Sequence, residues 1–181
     1  TTGVGSNKSL LAAAGYGTDK AIFGYGDASG VVSTTNLVSN TGIVATNTTG
    51  VGTARYGLAA AGYGSDKAIF GYGYTGAYVS MTNLVSNTGV VATDTTGVGT
   101  GRFALAAAGY GSDKAIFGYG WTGAYVSMTN LVSNTGVVAT DTTGVGTGRY
   151  LLAAAGYGSD KAIFGYGHPN VSMTNLVSNT G

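Results

Sequence analysis

Four near-copies of one 47-residue unit fill this chain, and no other feature restricts its fold so strongly. The run Leu-Ala-Ala-Ala-Gly-Tyr-Gly-Ser-Asp-Lys-Ala-Ile-Phe-Gly-Tyr-Gly spans residues 58–73 and returns at 105–120 and 152–167. A version with Thr18 in place of the serine stands at 11–26. A period of this length marks a supersecondary unit that cannot bury its apolar face alone and must stack on its own copies.

Within the unit, turn residues cut the chain into four short runs. In the second copy these are Leu58 to Tyr63 (A), Lys67 to Tyr72 (B), Val79 to Val85 (C) and Val90 to Thr95 (D). Each has the length of a strand and each is bounded by Gly, Asn, Asp or Ser. Helices are not expected, because Gly recurs inside the runs, Val and Thr abound, and no apolar stripe has a 3.6-residue period. Runs A and B are apolar on both faces, as in a sheet covered on both sides, whereas D alternates and should lie outermost. The expectation is an all-β chain: a single β-propeller domain over 1–181, with four four-stranded antiparallel blades. A linear β-solenoid is the other architecture a repeat allows. Residues 1–5 match the end of run D, so they are expected to complete the last blade, which stops before a run D of its own. Either one chain closes a four-bladed ring, or two chains close an eight-bladed ring as a homodimer, which the small inner residues favour.

Composition removes several function classes. Charged residues make up 8% of the chain, far below the roughly 25% of an average domain, and the net charge is +1. The lysines and arginines are spread one or two per repeat, so there is no basic stripe for nucleic acid and no electrostatic membrane anchor. No apolar run reaches the ~18–20 residues of a membrane span, and no signal peptide is read. With no cysteine and one histidine, neither a thiolate metal site nor a catalytic triad can be assembled. Glutamate is absent, and Asp19, Asp66, Asp113 and Asp160 are copies of one turn residue rather than a converging acid pair. Asp94 and Asp141, with Asn47 in the first copy, sit among threonines near a turn, which is too few carboxylates for calcium. Gly15-Tyr16-Gly17 and its copies lack the following helix and the Gly-Lys-Ser/Thr of a phosphate loop. The expectation is a non-enzymatic protein without cofactor or metal.

The unit resembles a kelch repeat. An arginine (Arg55, Arg102, Arg149, with Lys8 in the first copy) precedes a small apolar strand, then Ala68-Ile69-Phe70-Gly71, then a turn marked by Gly76. The glycine pair of that pattern is interrupted by Tyr72, and Leu84 and Val91 stand at its later aromatic positions. The wording of the repeat is also similar to that of Gly-rich repeat proteins of marine viruses and metagenomes. The resemblance implies an interaction module, on a virion or outside the cell. The copper oxidases among kelch-like proteins need a cysteine-modified tyrosine and two histidine ligands, which this chain lacks.

The copies differ from one another at two places. Asp27, Tyr74, Trp121 and His168 occupy one position after run B. Tyr56, Phe103 and Tyr150 occupy another before run A, where the first copy has Ser9. Alternating strands carry both places to the same end of the blades. These seven residues are the candidate contacts for a glycan or protein ligand, since they offer hydrogen bonds and stacking surfaces on loops. Drift at exposed tips would also produce such variation. A purely structural, self-assembling repeat protein is the alternative function. The tyrosines of Gly-Tyr-Gly are expected between blades rather than on display.

Overall fold

The computed structural model describes residues 4–181 and is all-β. Each repeat forms one three-stranded antiparallel sheet. In the first, β1 (Ala12–Tyr16) pairs with β2 (Lys20–Gly24), which pairs with β3 (Thr35–Val38). The second holds β4 (Ala59–Tyr63), β5 (Lys67–Gly71) and β6 (Thr82–Val85), and the third β7 (Ala106–Tyr110), β8 (Lys114–Gly118) and β9 (Thr129–Val132). The fourth holds β10 (Ala153–Tyr157), β11 (Lys161–Gly165) and β12 (Thr174–Val177). The register is the same in all four; Ala61 faces Ile69 and Ile69 faces Leu84, as Ala108 faces Ile116 and Ile116 faces Leu131.

Runs A, B and C thus appear as strands, but run D does not. Val91 makes a single bridge with Val85, and the Ala92 amide donates to the Leu84 carbonyl at 2.8 Å. The next bond runs from the Thr95 amide to the Thr82 carbonyl, one residue out of register. That extra residue is a bulge, which ends ladder pairing. Side chains take over: the Asn83 amide donates to the Ala92 carbonyl at 3.0 Å and to Asp94 at 2.9 Å, and the Thr82 and Thr95 hydroxyls meet at 2.7 Å. The expected four-stranded blade is therefore a three-stranded sheet edged by a tethered extended segment.

The first strands β1, β4, β7 and β10 lie side by side in series, and each sheet packs on the next. At least three backbone hydrogen bonds cross each junction. Between the second and third sheets these run from Gly64 to Asp113, from Gly73 to Arg102 and from Ala104 to Gly57, at 2.7–2.8 Å. The core lies between the sheets: Ala59, Ala61, Tyr63, Ile69 and Tyr72 of the second meet Leu105, Ala115, Phe117 and Val132 of the third.

In the first three repeats the tyrosine of the second Gly-Tyr-Gly is buried between sheets, as expected, whereas its fourth copy, Tyr166, is exposed. Tyr25, Tyr72 and Tyr119 have left-handed backbone (φ 63–65°), a conformation that costs a non-glycine residue on the order of 1–2 kcal/mol. In these three repeats the ring is also clamped. The Phe117 ring stands edge-on to Tyr72 at 5.1 Å, the Arg102 guanidinium lies 4.4 Å over it, and its hydroxyl donates to the Val98 carbonyl at 3.2 Å.

Arg55, Arg102 and Arg149 are wholly buried, a placement their charge does not announce. Arg55 donates to the Tyr72 carbonyl (2.8 Å) and to Asn83 (2.6 Å). Arg102 donates to Asn130, while its Nε and that of Arg149 find no acceptor among the described residues. Burial pulls the Arg55 and Arg102 guanidinium groups below their usual range, and neighbouring tyrosines and aspartates act against that fall. Desolvation likewise raises Asp94, but hydrogen bonds from Thr53 and Asn83 outweigh it, so this carboxyl stays below the usual range.

Of the segment expected to complete the last repeat, residues 1–3 lie outside the described residues. Gly5 rests on Asn36 and Asn47 of the first repeat, and Asn47 donates to Ser6 at 2.7 Å. Gly52 takes the same place against Asn83 and Asp94 of the second.

Candidate functional site

The two variable positions of each repeat pair with each other through reciprocal backbone hydrogen bonds. Ser9 bridges Asp27, Tyr56 bridges Tyr74, Phe103 bridges Trp121 and Tyr150 bridges His168, with N···O distances of 2.8–3.2 Å. All four bridges lie at the end of the sheets opposite the A–B turns, because B leaves the ladder at Gly71 while the residues before A run beside it. The sequence places these residues on one end, and the structure brings them into contact.

The side chains form two aromatic groups. In one, Tyr56 stands 5.7 Å from Tyr74 and 5.6 Å from Phe103, and Tyr74 stands 5.3 Å from Tyr78. In the other, Trp121 lies 4.9 Å from Tyr125 and 5.6 Å from Tyr150, and His168 lies 5.2 Å from Tyr150. Most of these pairs are tilted or edge-on, the geometry that ring quadrupoles favour. Tyr56, Tyr74, Tyr78, Phe103, Trp121 and Tyr150 together line an open depression of about 430 Å³. Among the described residues no charged side chain lines it.

Tyr78 and Tyr125 were not among the sequence candidates. Both belong to the Thr-Gly-Ala-Tyr loops, and both fold back to bridge Tyr74 and Trp121. The signal was present in the sequence: the first copy has Val31 at that position, and the fourth has a shorter loop. Asp27 is set apart from the aromatic groups. Its carboxylate accepts a hydrogen bond from the Gly30 amide at 2.9 Å and so serves its own loop.

The backbone just before each first strand is strained. Leu10, Ala104 and Leu151 have φ of 51–54° although they carry side chains, and only Gly57 meets that position freely. A side chain on Gly57 would collide with the Phe103 ring, so glycine there lets Phe103 lie against the backbone. Left-handed backbone of this kind concentrates at functional surfaces and persists where neighbours over-determine it. Here successive repeats do so, since Gly57 donates to Leu10, Ala104 to Gly57 and Leu151 to Ala104.

The opposite end is uniform. Asn40, Asn87 and Asn134 donate to Asp19, Asp66 and Asp113 at 2.9–3.1 Å, tying the C–D turn to the A–B turn. Lys20, Lys67, Lys114 and Lys161 pair with the adjacent aspartates, and these contacts lower all four carboxyls. Among the described residues no group of three His, Cys, Asp or Glu side chains converges as a metal site.

No protein-family model and no curated protein matches this chain.

Proposed function

We propose that this chain is a non-enzymatic binding module, four blades of a β-propeller whose aromatic depression receives a neutral glycan. The observation that carries the ligand reading is the depression itself, in which six aromatic side chains from three consecutive repeats border one open space free of charge. The apolar faces of sugar rings stack on phenol and indole rings, while sugar hydroxyls exchange hydrogen bonds with phenol oxygens and the indole N–H. A loop-borne site on a scaffold tied by repeated backbone bonds is preorganised for such a ligand. The propeller reading is supported by the serial packing of the small-residue strands and by a second cavity, of about 360 Å³. The hairpin turns of all four repeats border it, through Thr18, Ser65, Ser112 and Ser159, as turns around a common axis would.

A glycan array followed by titration of the best ligand tests the proposal. Trp121→Ala and Tyr74→Ala are each expected to weaken binding roughly 3–10-fold, the worth of one stacking contact. Unchanged affinity in both variants would remove these residues from the site.

A further inference from the structure

The outer faces of the first and fourth sheets are uncovered among the described residues, and they are complementary. Every internal junction has the same parts: a tyrosine of one sheet receives the phenylalanine and the arginine of the next. Tyr25 takes Phe70 and Arg55, Tyr72 takes Phe117 and Arg102, and Tyr119 takes Phe164 and Arg149. The fourth sheet offers the same tyrosine, Tyr166, in the same left-handed backbone (φ 61°), and among the described residues no ring or guanidinium packs on it. Tyr166 is 63% exposed, against 0–2% for its three copies. The first sheet offers the other half. Phe23 is 38% exposed, where Phe70, Phe117 and Phe164 are at most 1%, and Lys8 holds the arginine position. It already donates to Asn36 at 3.0 Å, as Arg55 does to Asn83.

The polar halves match as well. Gly17, Gly64 and Gly111 donate to Asp66, Asp113 and Asp160 at 2.6–2.7 Å. By the same rule the free amide of Gly158 corresponds to the carbonyl of Asp19, and the amide of Gly167 to the carbonyl of Lys8. Among the described residues, none of these four groups makes its junction bond. The space is also prepared. The Phe117 ring fills the gap over Gly71, and Phe164 that over Gly118, but over Gly165 the nearest neighbour is Thr174. Gly136 rests on Leu84 and Tyr63, whereas Gly42 faces open space and Leu176 and Tyr157 are bare.

We propose that a second copy of this chain docks head to tail, its Phe23 and Lys8 seated on Tyr166 so that the junction repeats the three internal ones. Continuity with those established interfaces identifies the occupant, because only a surface like that of the first sheet carries the matching ring, cation and carbonyls. The contact is heterologous, so it recurs at the other end and closes into a ring when the rotation per repeat permits. It also carries the row of bridges onward and sets Ser9 and Asp27 of one copy beside Tyr150 and His168 of the other. The inference stands independently of the glycan reading.

Sedimentation of chain 1–181 between about 1 and 500 μM tests it. The wild type is expected at a multiple of 17.8 kDa. Phe23→Thr and Tyr166→Asn alter exposed residues with substitutes suited to strand and left-handed backbone. Each alone should sediment as a single chain, with a melting curve like that of the dissociated wild type. Mixed in equal amounts, they should recover a two-chain species, since the Phe23→Thr copy keeps an intact tail and the Tyr166→Asn copy an intact head. A wild type that stays at 17.8 kDa throughout, association indifferent to both variants, or failure of the mixture to recover would each overturn the proposal.

Discussion

One strand sequence, Lys-Ala-Ile-Phe-Gly, occurs four times, and its glycine should respond to the same substitution in two different ways. A methyl group added at Gly71 would lie 2.7 Å from Cζ of Phe117 and 3.1 Å from Cγ2 of Thr82. At Gly24 and Gly118 the ring carbons of Phe70 and Phe164 stand at 2.7 and 2.8 Å. Those rings are buried and stand edge-on or tilted to a neighbouring tyrosine, so they cannot yield without losing that contact. Overpacking of this kind costs about 1–3 kcal/mol. Alanine recovers roughly 0.5–1 kcal/mol relative to glycine through the lower entropy of the unfolded chain. The net loss is on the order of 0–2.5 kcal/mol, up to roughly 10 °C in Tm for a chain of this size. At Gly165 the nearest atom to the added methyl is Cγ2 of Thr174 at 3.4 Å, an ordinary contact. Gly165→Ala should therefore be neutral or raise Tm by a few degrees. The assay is thermal unfolding by circular dichroism, at a concentration low enough that the transition no longer depends on it. An equal change in Tm at all four positions, whether a fall or a gain, would refute the stacking of each phenylalanine on the preceding repeat.

Two further outcomes follow from the buried groups. Arg102→Ala removes a cation wholly enclosed between Tyr72, Asn130 and Asp141 and should cost about 3–5 kcal/mol by urea denaturation; Lys8→Ala, at the half-covered first position, should cost less than about 1 kcal/mol, and equal costs would contradict the clamp. Burial pushes the Tyr25 and Tyr72 phenols up to about 12. The folded chain then holds their protons after an unfolded tyrosine, near 10, has released its own. The stability they contribute is complete below pH 10 and drains away between pH 10 and 12, by on the order of 2–3 kcal/mol each; a flat denaturation midpoint across that window would count against the burial.

The repetition made three of the strands readable, because turn residues bound runs A, B and C in every copy. Run B was read one residue too long, since Tyr72 looks like a strand residue until its left-handed backbone is known. Run C was read too early, at Val79 rather than Thr82. Run D failed for a subtler reason: its alternation is that of a strand, but the Asn83 amide competes for the Ala92 carbonyl and a bulge breaks the register. The buried arginines were out of reach by composition, because a charge reads as solvent-facing unless its partners are known, and Tyr72 and Asn83 lie 17 and 28 residues away. At the variable end, difference among copies located Tyr56, Tyr74, Phe103, Trp121, Tyr150 and His168. It missed Tyr78 and Tyr125, whose aromatic rings matter only once their loops fold back.

Trp121 is the chain's one tryptophan and it lines the aromatic depression, so its fluorescence reads that surface without a label. Titration with a panel of neutral oligosaccharides should give a saturable change in Trp121 emission for at least one of them, weakened in Tyr74→Ala. Emission that stays constant for every member of the panel, with Trp121 still open to a neutral quencher, would contradict the claim that this end of the stack is a glycan site.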